Sequence, residues 1–461
     1  MTTKKKQAIL LIHGIGEQRP METLRGFIRQ AWTMNRGAQR QGYEADALWS
    51  KPYPLSQDFE LRRLTTPTNL AGVRTDFYEF YWAHLMRGTR WRHILAWMRT
   101  LLLRSPGSVP SGLKTAYWVL WCLILASAAG LAAYSVLAGQ GSIQPAAWLP
   151  PWLSWLVGAA LVPALGWVAT KVVGDAARYL DAAADNVQMR HTIRSAGLQV
   201  INALHRDGQY DRIVVVGHSL GSVIGYDILN HAWAQWNAQA GPPSPLLDAA
   251  LARVGELAPD VTPGDPDSVD QFQQAQHGAA RAWASSGRTW RVTDFVTLGS
   301  PLAHAPILLA RDRADLSAKF AAREYPTCPP MPELQRKDHA ISYSFLYSDG
   351  ERRIPHHAAP FALTRWTNLY FPCRALVGGD LIGGPVAPVF GPGVKDIQVH
   401  TARRFGLFAH TLYWSDPRPG DDHIVQLLAA LRIAEVFDDG GGGAARTPAG
   451  TPPDRPEPGT L

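Results

Sequence analysis

The stretch Ile213-Val214-Val215-Val216-Gly217-His218-Ser219-Leu220-Gly221, continued by Ser222-Val223-Ile224-Gly225-Tyr226-Asp227-Ile228-Leu229, decides the fold class of this chain. Four β-branched residues in a row predict a strand buried on both faces. The residues after the serine change to helical rhythm. Between them, Gly217-x-Ser219-x-Gly221 has the form of a nucleophile elbow, a strand–turn–helix junction with the serine at its apex. The spacing has a steric cause. A serine in so sharp a turn takes a strained backbone conformation, and side chains two residues to either side would crowd it. Glycines at 217 and 221 relieve that crowding.

A second strand–turn unit lies at the start of the chain. Ala8 to Ile12 reads as a strand and runs into His13-Gly14-Ile15-Gly16. A glycine-rich turn at the end of an early strand lets backbone N–H groups approach a reacting oxygen closely. The expected oxyanion donors are the N–H groups of Ile15 and Leu220, with His13, Gly14, Gly16, Gly217, His218 and Gly221 shaping the two turns. Lys4-Lys5-Lys6 precedes the first strand, but the apolar run after it is too short for a secretory signal.

Further strands are expected over Asp76–Trp82, Val292–Leu298 and Ile341–Tyr347. A helix is expected over Asp175–Leu204. This alternation predicts an α/β class, with a mostly parallel sheet covered by helices on both faces. From Trp236 to Arg288 the chain is rich in Pro, Gly, Ala and Gln, with little periodicity. It reads as an insertion, either a cap over the site or a disordered loop. The Gly- and Pro-rich residues 438–461 read as a disordered tail.

Between Lys114 and Lys171 there is no Asp, Glu, Lys or Arg. Two apolar blocks, about 115–137 and 148–170, each approach the roughly 20 residues that span a bilayer as a helix. Trp118, Trp121, Trp148, Trp152 and Trp167 lie toward the block ends, as an aromatic belt would. Arg87, Arg90, Arg92, Arg99, Arg104 and Lys114 precede the blocks; Lys171, Arg178, Arg190 and Arg194 follow them. By the positive-inside rule, both termini are then cytoplasmic and the uncharged turn lies outside. The competing reading is an apolar lid or buried hairpin. Trp82–Leu103 reads either as an interfacial helix or as one packed on the core.

The full sequence of 461 residues carries a formal charge of +7 and three cysteines, Cys122, Cys328 and Cys373. Cysteines so far apart give no metal-ligand spacing and no disulfide framework. The basic balance suits anionic lipid; no nucleic-acid motif accompanies it.

The elbow, the His13–Gly16 turn and several later segments resemble the α/β-hydrolase superfamily, specifically its lipases and esterases. Val296-Thr297-Leu298-Gly299-Ser300-Pro301-Leu302 is similar to a strand-end motif in those enzymes. Trp366-Thr367-Asn368-Leu369-Tyr370, followed by Asp380-Leu381-Ile382-Gly383-Gly384-Pro385, is similar to the segment carrying their triad acid. Phe408-Ala409-His410-Thr411-Leu412-Tyr413-Trp414 resembles the piece carrying the histidine. The resemblance covers residues 7–16 and about 175–435. It implies a Ser219, Asp380, His410 triad in that chain order, acting on a carboxylic ester without metal or organic cofactor.

The residues themselves leave competitors: His400 and His423 for the base, Asp396 and Asp349 for the acid. The implied organisation is the N-terminal part of a hydrolase domain at 1–110, a membrane hairpin at 111–172, the main part of the domain at 173–437, and the tail. The expected function is a membrane-anchored serine hydrolase acting on a lipid or other apolar ester. Thioester or amide cleavage, or a membrane scaffold without turnover, are the alternatives.

Overall fold

The computed structural model describes residues 5–14, 19–35, 47–53, 61–86, 106–108, 117–118, 121–122, 125, 179, 184–237, 243–332, 335–337, 340–342, 346–349, 352–373, 379–380, 382–402 and 406–435. Its centre is an eight-stranded sheet. The strands are β1 (Lys5–Ile12), β2 (Trp49–Pro52), β3 (Arg62–Thr68), β4 (Val73–Phe80), β5 (Arg212–His218), β6 (Val292–Leu298), β11 (Arg365–Tyr370) and β12 (Lys395–Gln398). They lie in the order β12-β11-β6-β5-β1-β4-β3-β2. Every pairing from β12 to β4 is parallel, while β3 is antiparallel to β4 and β2 to β3.

The apolar runs of β1, β5 and β6 occupy the middle because only there are both faces of a strand covered. Their register aligns the strand ends. Ile12 pairs with Gly217, and His218 with Leu298, which in turn pairs with Leu369. The strands therefore finish level, and the turns beyond them share one edge of the sheet.

Helices cover both faces. α1 (Glu22–Ile28), which runs on as a wider turn to Thr33, packs Phe27 on Phe77 of β4. α2 (Ala184–Arg206) packs against α3 (Leu220–Trp236), and Gly225 of α3 sits over Phe295 and Ile12 on the opposite face. The mostly parallel α/β architecture is thus as expected from the strand–helix alternation.

Of the two expectations for residues 236–288, a cap or a disordered loop, the loop does not hold. These residues form α4 (Pro245–Leu257) and α5 (Pro266–Ser285). Both begin with an N-cap followed by proline: Ser244 Oγ accepts the Leu247 N–H, and an Asp265 carboxylate oxygen accepts that of Asp267. Those caps are legible start signals. Hydropathy hides α5 because two of its inward residues are polar. Gln273 donates to the Trp366 carbonyl, and Gln276 to that of Thr364.

The expected single strand at 341–347 is instead parts of two hairpins. β8 (Ala340–Ser342) pairs with β7 (Gln335–Lys337), and β9 (Leu346–Asp349) pairs with β10 (Arg352–Pro355). Two later helices are α6 (Arg313–Ala321) and α7 (His423–Leu431). Among the described residues no helix is long and apolar enough to cross a membrane. Apart from 117–118, 121–122 and 125, the apolar blocks at 115–137 and 148–170 lie outside the described residues, as do 87–103 and the tail.

At the N-terminal ends of the strands, buried charges tie the sheet to α7. Asp294 of β6 accepts from Arg212 at 2.8 Å, Arg365 at 2.8 Å and Arg432 at 3.2 Å. Arg212 also donates to the carbonyls of Leu431 and Arg432, which end α7. Burial alone would raise the Asp294 pKa, but the three guanidiniums hold it far below the carboxylate range. A folded pKa below the unfolded one means stability that is complete above the unfolded value and lost as pH falls beneath it. Removing one partner strands the others, so Asp294→Asn is expected to lower unfolding free energy by about 3–5 kcal/mol. Urea denaturation checks this. Wild-type stability should also fall below about pH 4, and the variant should show less of that acid sensitivity.

Candidate active site

Ser219 stands at the apex between β5 and α3 with φ 53° and ψ −130°, a backbone conformation costly for any residue but glycine. Its surroundings fix it there. The Ser219 N–H donates to the Leu298 carbonyl at 3.0 Å, and its own carbonyl accepts the Ser222 N–H at 2.9 Å. Ser222 Oγ donates to the same carbonyl at 2.6 Å. With that proton used, the 2.6 Å contact between Ser222 and Ser300 must be donated by Ser300. Ser300 Oγ in turn accepts the Leu302 N–H. The strand-end residues 298–302 therefore brace the elbow.

The first turn arrives from the other side. A Cβ on Gly14 would lie 2.9 Å from Ser219 Cβ and 3.0 Å from His218 Nδ1, so the glycine permits the contact. His13 is fully buried and stacks on Trp82, with ring centroids 5.1 Å apart. Its Nδ1–H donates to the Gly14 carbonyl at 2.8 Å, and its Nε2 accepts the Trp82 N–H at 3.3 Å. Burial pushes its pKa down to about 4. His13 thus holds the turn's backbone as a neutral ring. Ile15 and Gly16 lie outside the described residues. The Leu220 N–H opens α3, so helix geometry gives it no intrahelical acceptor.

Asp380 and His410, expected as acid and base, are brought together. Asp380 Oδ2 lies 2.9 Å from His410 Nδ1; the carboxyl is fully buried, whereas the histidine side chain is 19% exposed. Oδ2 also accepts the Tyr413 hydroxyl at 2.8 Å, and Oδ1 accepts the N–H groups of Ile382 and Gly383 at 2.8 and 2.9 Å. Burial favours the neutral acid, but the His410 hydrogen bond and charge, with the two backbone donors, outweigh it and bring the pKa to about 2. An ionised carboxylate only accepts hydrogen bonds, so Nδ1 of His410 carries the proton and Nε2 is left basic.

Gly299, at φ 56°, locates this pair relative to the elbow. A Cβ there would fall 2.8 Å from Asp380 Oδ2 and 3.0 Å from His410 Nδ1, while the adjoining Leu298 carbonyl is the acceptor for Ser219.

The competitors are engaged elsewhere. His400 pairs with Asp422 at 3.2 Å beyond the end of β12. His423 begins α7, buried, with Nε2 3.2 Å from the Ser415 carbonyl. Asp396 accepts from Asn368 and from the N–H groups of Val386 and Ala387, capping a short turn. Asp349 lies in the β9–β10 hairpin.

Sequence reasoning missed the support around the acid. Tyr413 was visible only as an aromatic residue after His410. Its hydroxyl donates to Asp380 while accepting the Phe371 N–H at 3.2 Å. Ser222 and Ser300 carried no signal of their own. Among the described residues, no group of His, Cys, Asp or Glu is arranged to hold a metal ion. No family model matches this chain, and comparison with curated proteins and with solved structures returns no relative of either kind.

Tyr413→Phe removes one donor to Asp380 and leaves the buried Phe371 N–H without its acceptor. The expected cost is about 1–3 kcal/mol of stability, read from chemical denaturation.

Proposed function

We propose that this protein is a serine hydrolase of α/β-hydrolase type that cleaves a carboxylic ester through an acyl-enzyme. The observation that carries the reading is the buried Asp380–His410 hydrogen bond at 2.9 Å, set beside a serine in a strained turn. The level ends of β1, β5, β6 and β11 support it, since they gather the turns that a triad of this kind needs.

In this mechanism His410 Nε2 takes the proton from Ser219 Oγ as the oxygen attacks the ester carbonyl. Asp380 fixes the imidazole tautomer and stabilises the imidazolium. The Leu220 N–H serves as one donor to the developing oxyanion, and Ile15 is the second donor expected from the sequence; one such donor is often worth about 3 kcal/mol. Collapse expels the alcohol, which takes its proton from His410. Water, deprotonated by the same nitrogen, then releases the acid and frees Ser219.

The substrate class follows from the sequence around this domain. Two uncharged apolar blocks flanked by arginine and lysine suit a bilayer hairpin with the hydrolase part on the cytoplasmic side. A site held there meets lipid esters, so an acyl lipid is the proposed substrate. The same chemistry cleaves thioesters and amides, and a substrate panel separates them.

A fluorophosphonate probe is expected to label the wild type and not Ser219→Ala. Asp380→Asn should slow labelling by roughly 10²–10⁴-fold, since it removes the acceptor that sets the His410 tautomer. Equal labelling of wild type and Ser219→Ala would overturn the reading and favour a scaffold without turnover. For the membrane part, the full chain is expected to stay with the membrane pellet after carbonate extraction. Release to the supernatant would favour a soluble enzyme with an apolar lid.

A further inference from the structure

His218, between the elbow's glycine and its serine, touches both halves of the site. Its Nε2 lies 2.8 Å from the main-chain carbonyl of His410. A carbonyl only accepts, so Nε2 carries the proton and Nδ1 is the lone-pair nitrogen. The ring is buried. It sits 5.0 Å from the His410 ring, 4.7 Å from the Trp414 ring edge-on, and 5.9 Å from Tyr413, measured between centroids. Its other edge faces the first turn: Nδ1 is 3.0 Å from where a Gly14 Cβ would be. Among the described residues no donor reaches Nδ1. The bond to His410 is then the ring's one hydrogen bond to those residues. Burial holds the pKa of His218 at about 3, with the neighbouring His410 acting in the same sense.

We infer that His218 is a positioning residue: its Nε2–H pins the His410 backbone, and the ring spaces the base from the Gly14 turn. The reason is geometric. The Ser219 main chain and the Asp380 carboxylate are each held by several hydrogen bonds. His410 stands in a short turn, Gly406–Thr411, with its ring tied to Asp380 and its carbonyl tied to His218. Loss of the carbonyl tie would let this 3₁₀ turn, and the ring it carries, shift about the Asp380 contact. A displacement near 1 Å at a reacting nitrogen costs about 10²-fold in rate. This inference rests on the serine-hydrolase reading.

Two amide variants test it, because they differ chiefly in where they place a donor. Glutamine reaches the position of Nε2, and asparagine only that of Nδ1. The full-length wild type and His218→Gln, His218→Asn and Ser219→Ala variants are titrated with a fluorophosphonate probe, and the maximal inactivation rate is separated from the probe's half-saturating concentration. His218→Asn is expected to lower the maximal rate about 10–100-fold with half-saturation unchanged. His218→Gln should stay within about 3-fold of wild type. Wild-type speed in His218→Asn, or equal losses in both variants, overturns the inference. Failure of the wild type itself to label at Ser219 would instead overturn the hydrolase reading, and the two failures are distinct.

Discussion

The open edge of the sheet depends on one close approach: the first turn of α3 sits directly against the end of β1. The carbonyls of Ile12 and His13 occupy the space where a side chain at position 221 would begin, so only glycine fits there. Once α3 starts that close to β1, the chain leaving β5 has a single residue in which to reverse. That residue is Ser219, and the positive φ it adopts is the geometric consequence. Neighbouring strands then stabilise the strain. β6 supplies the acceptor for its N–H, and Ser222 of α3, itself bonded to Ser300 in the turn after β6, donates to its carbonyl.

The opposite edge is built on charge rather than close contact. Asp294, Arg212 and Arg365 stand at the beginnings of three adjacent strands, and Arg432 follows α7. An isolated buried charge would be prohibitive, but here each guanidinium meets a carboxylate or a helix-end carbonyl. The network fixes where α7 ends. The segment carrying Asp380, His410 and Tyr413 lies between β11 and α7 in the chain. It is therefore anchored at its far end by charges at the edge away from the site. Packing reaches it as well, since Trp414 contacts Phe27 of α1 and the His218 ring.

What could be read from the sequence was whatever had a local cause. The central strands announce themselves because burial on both faces demands unbroken β-branched runs, as in Ile213–Val216. The elbow is legible because glycine spacing and serine conformation are coupled over five residues. α5 was not legible from hydropathy, because Gln273 and Gln276 point inward to satisfy carbonyls at the start of β11. Its Asp265-Pro266 start was the signal that outweighed composition. In the site, Asp380 and His410 stood out through resemblance to a family pattern. The partners that define their chemistry did not: Tyr413, Gly299 and the amides of Ile382 and Gly383 act through contacts made only in three dimensions.

Three histidines crowd this edge, and their surroundings assign different work to each. His13 and His218 are buried, and each donates its ring proton to a carbonyl. A carbonyl orients a ring without favouring its charged form as strongly as a carboxylate does, so desolvation dominates and both stay neutral. His410 alone has a buried carboxylate on one nitrogen and partial exposure of the ring. In the proposed mechanism the proton leaving Ser219 Oγ goes to His410 Nε2, the ring nitrogen opposite the one bound to Asp380. The two neutral rings are the better placed to act as spacers because they do not compete for that proton.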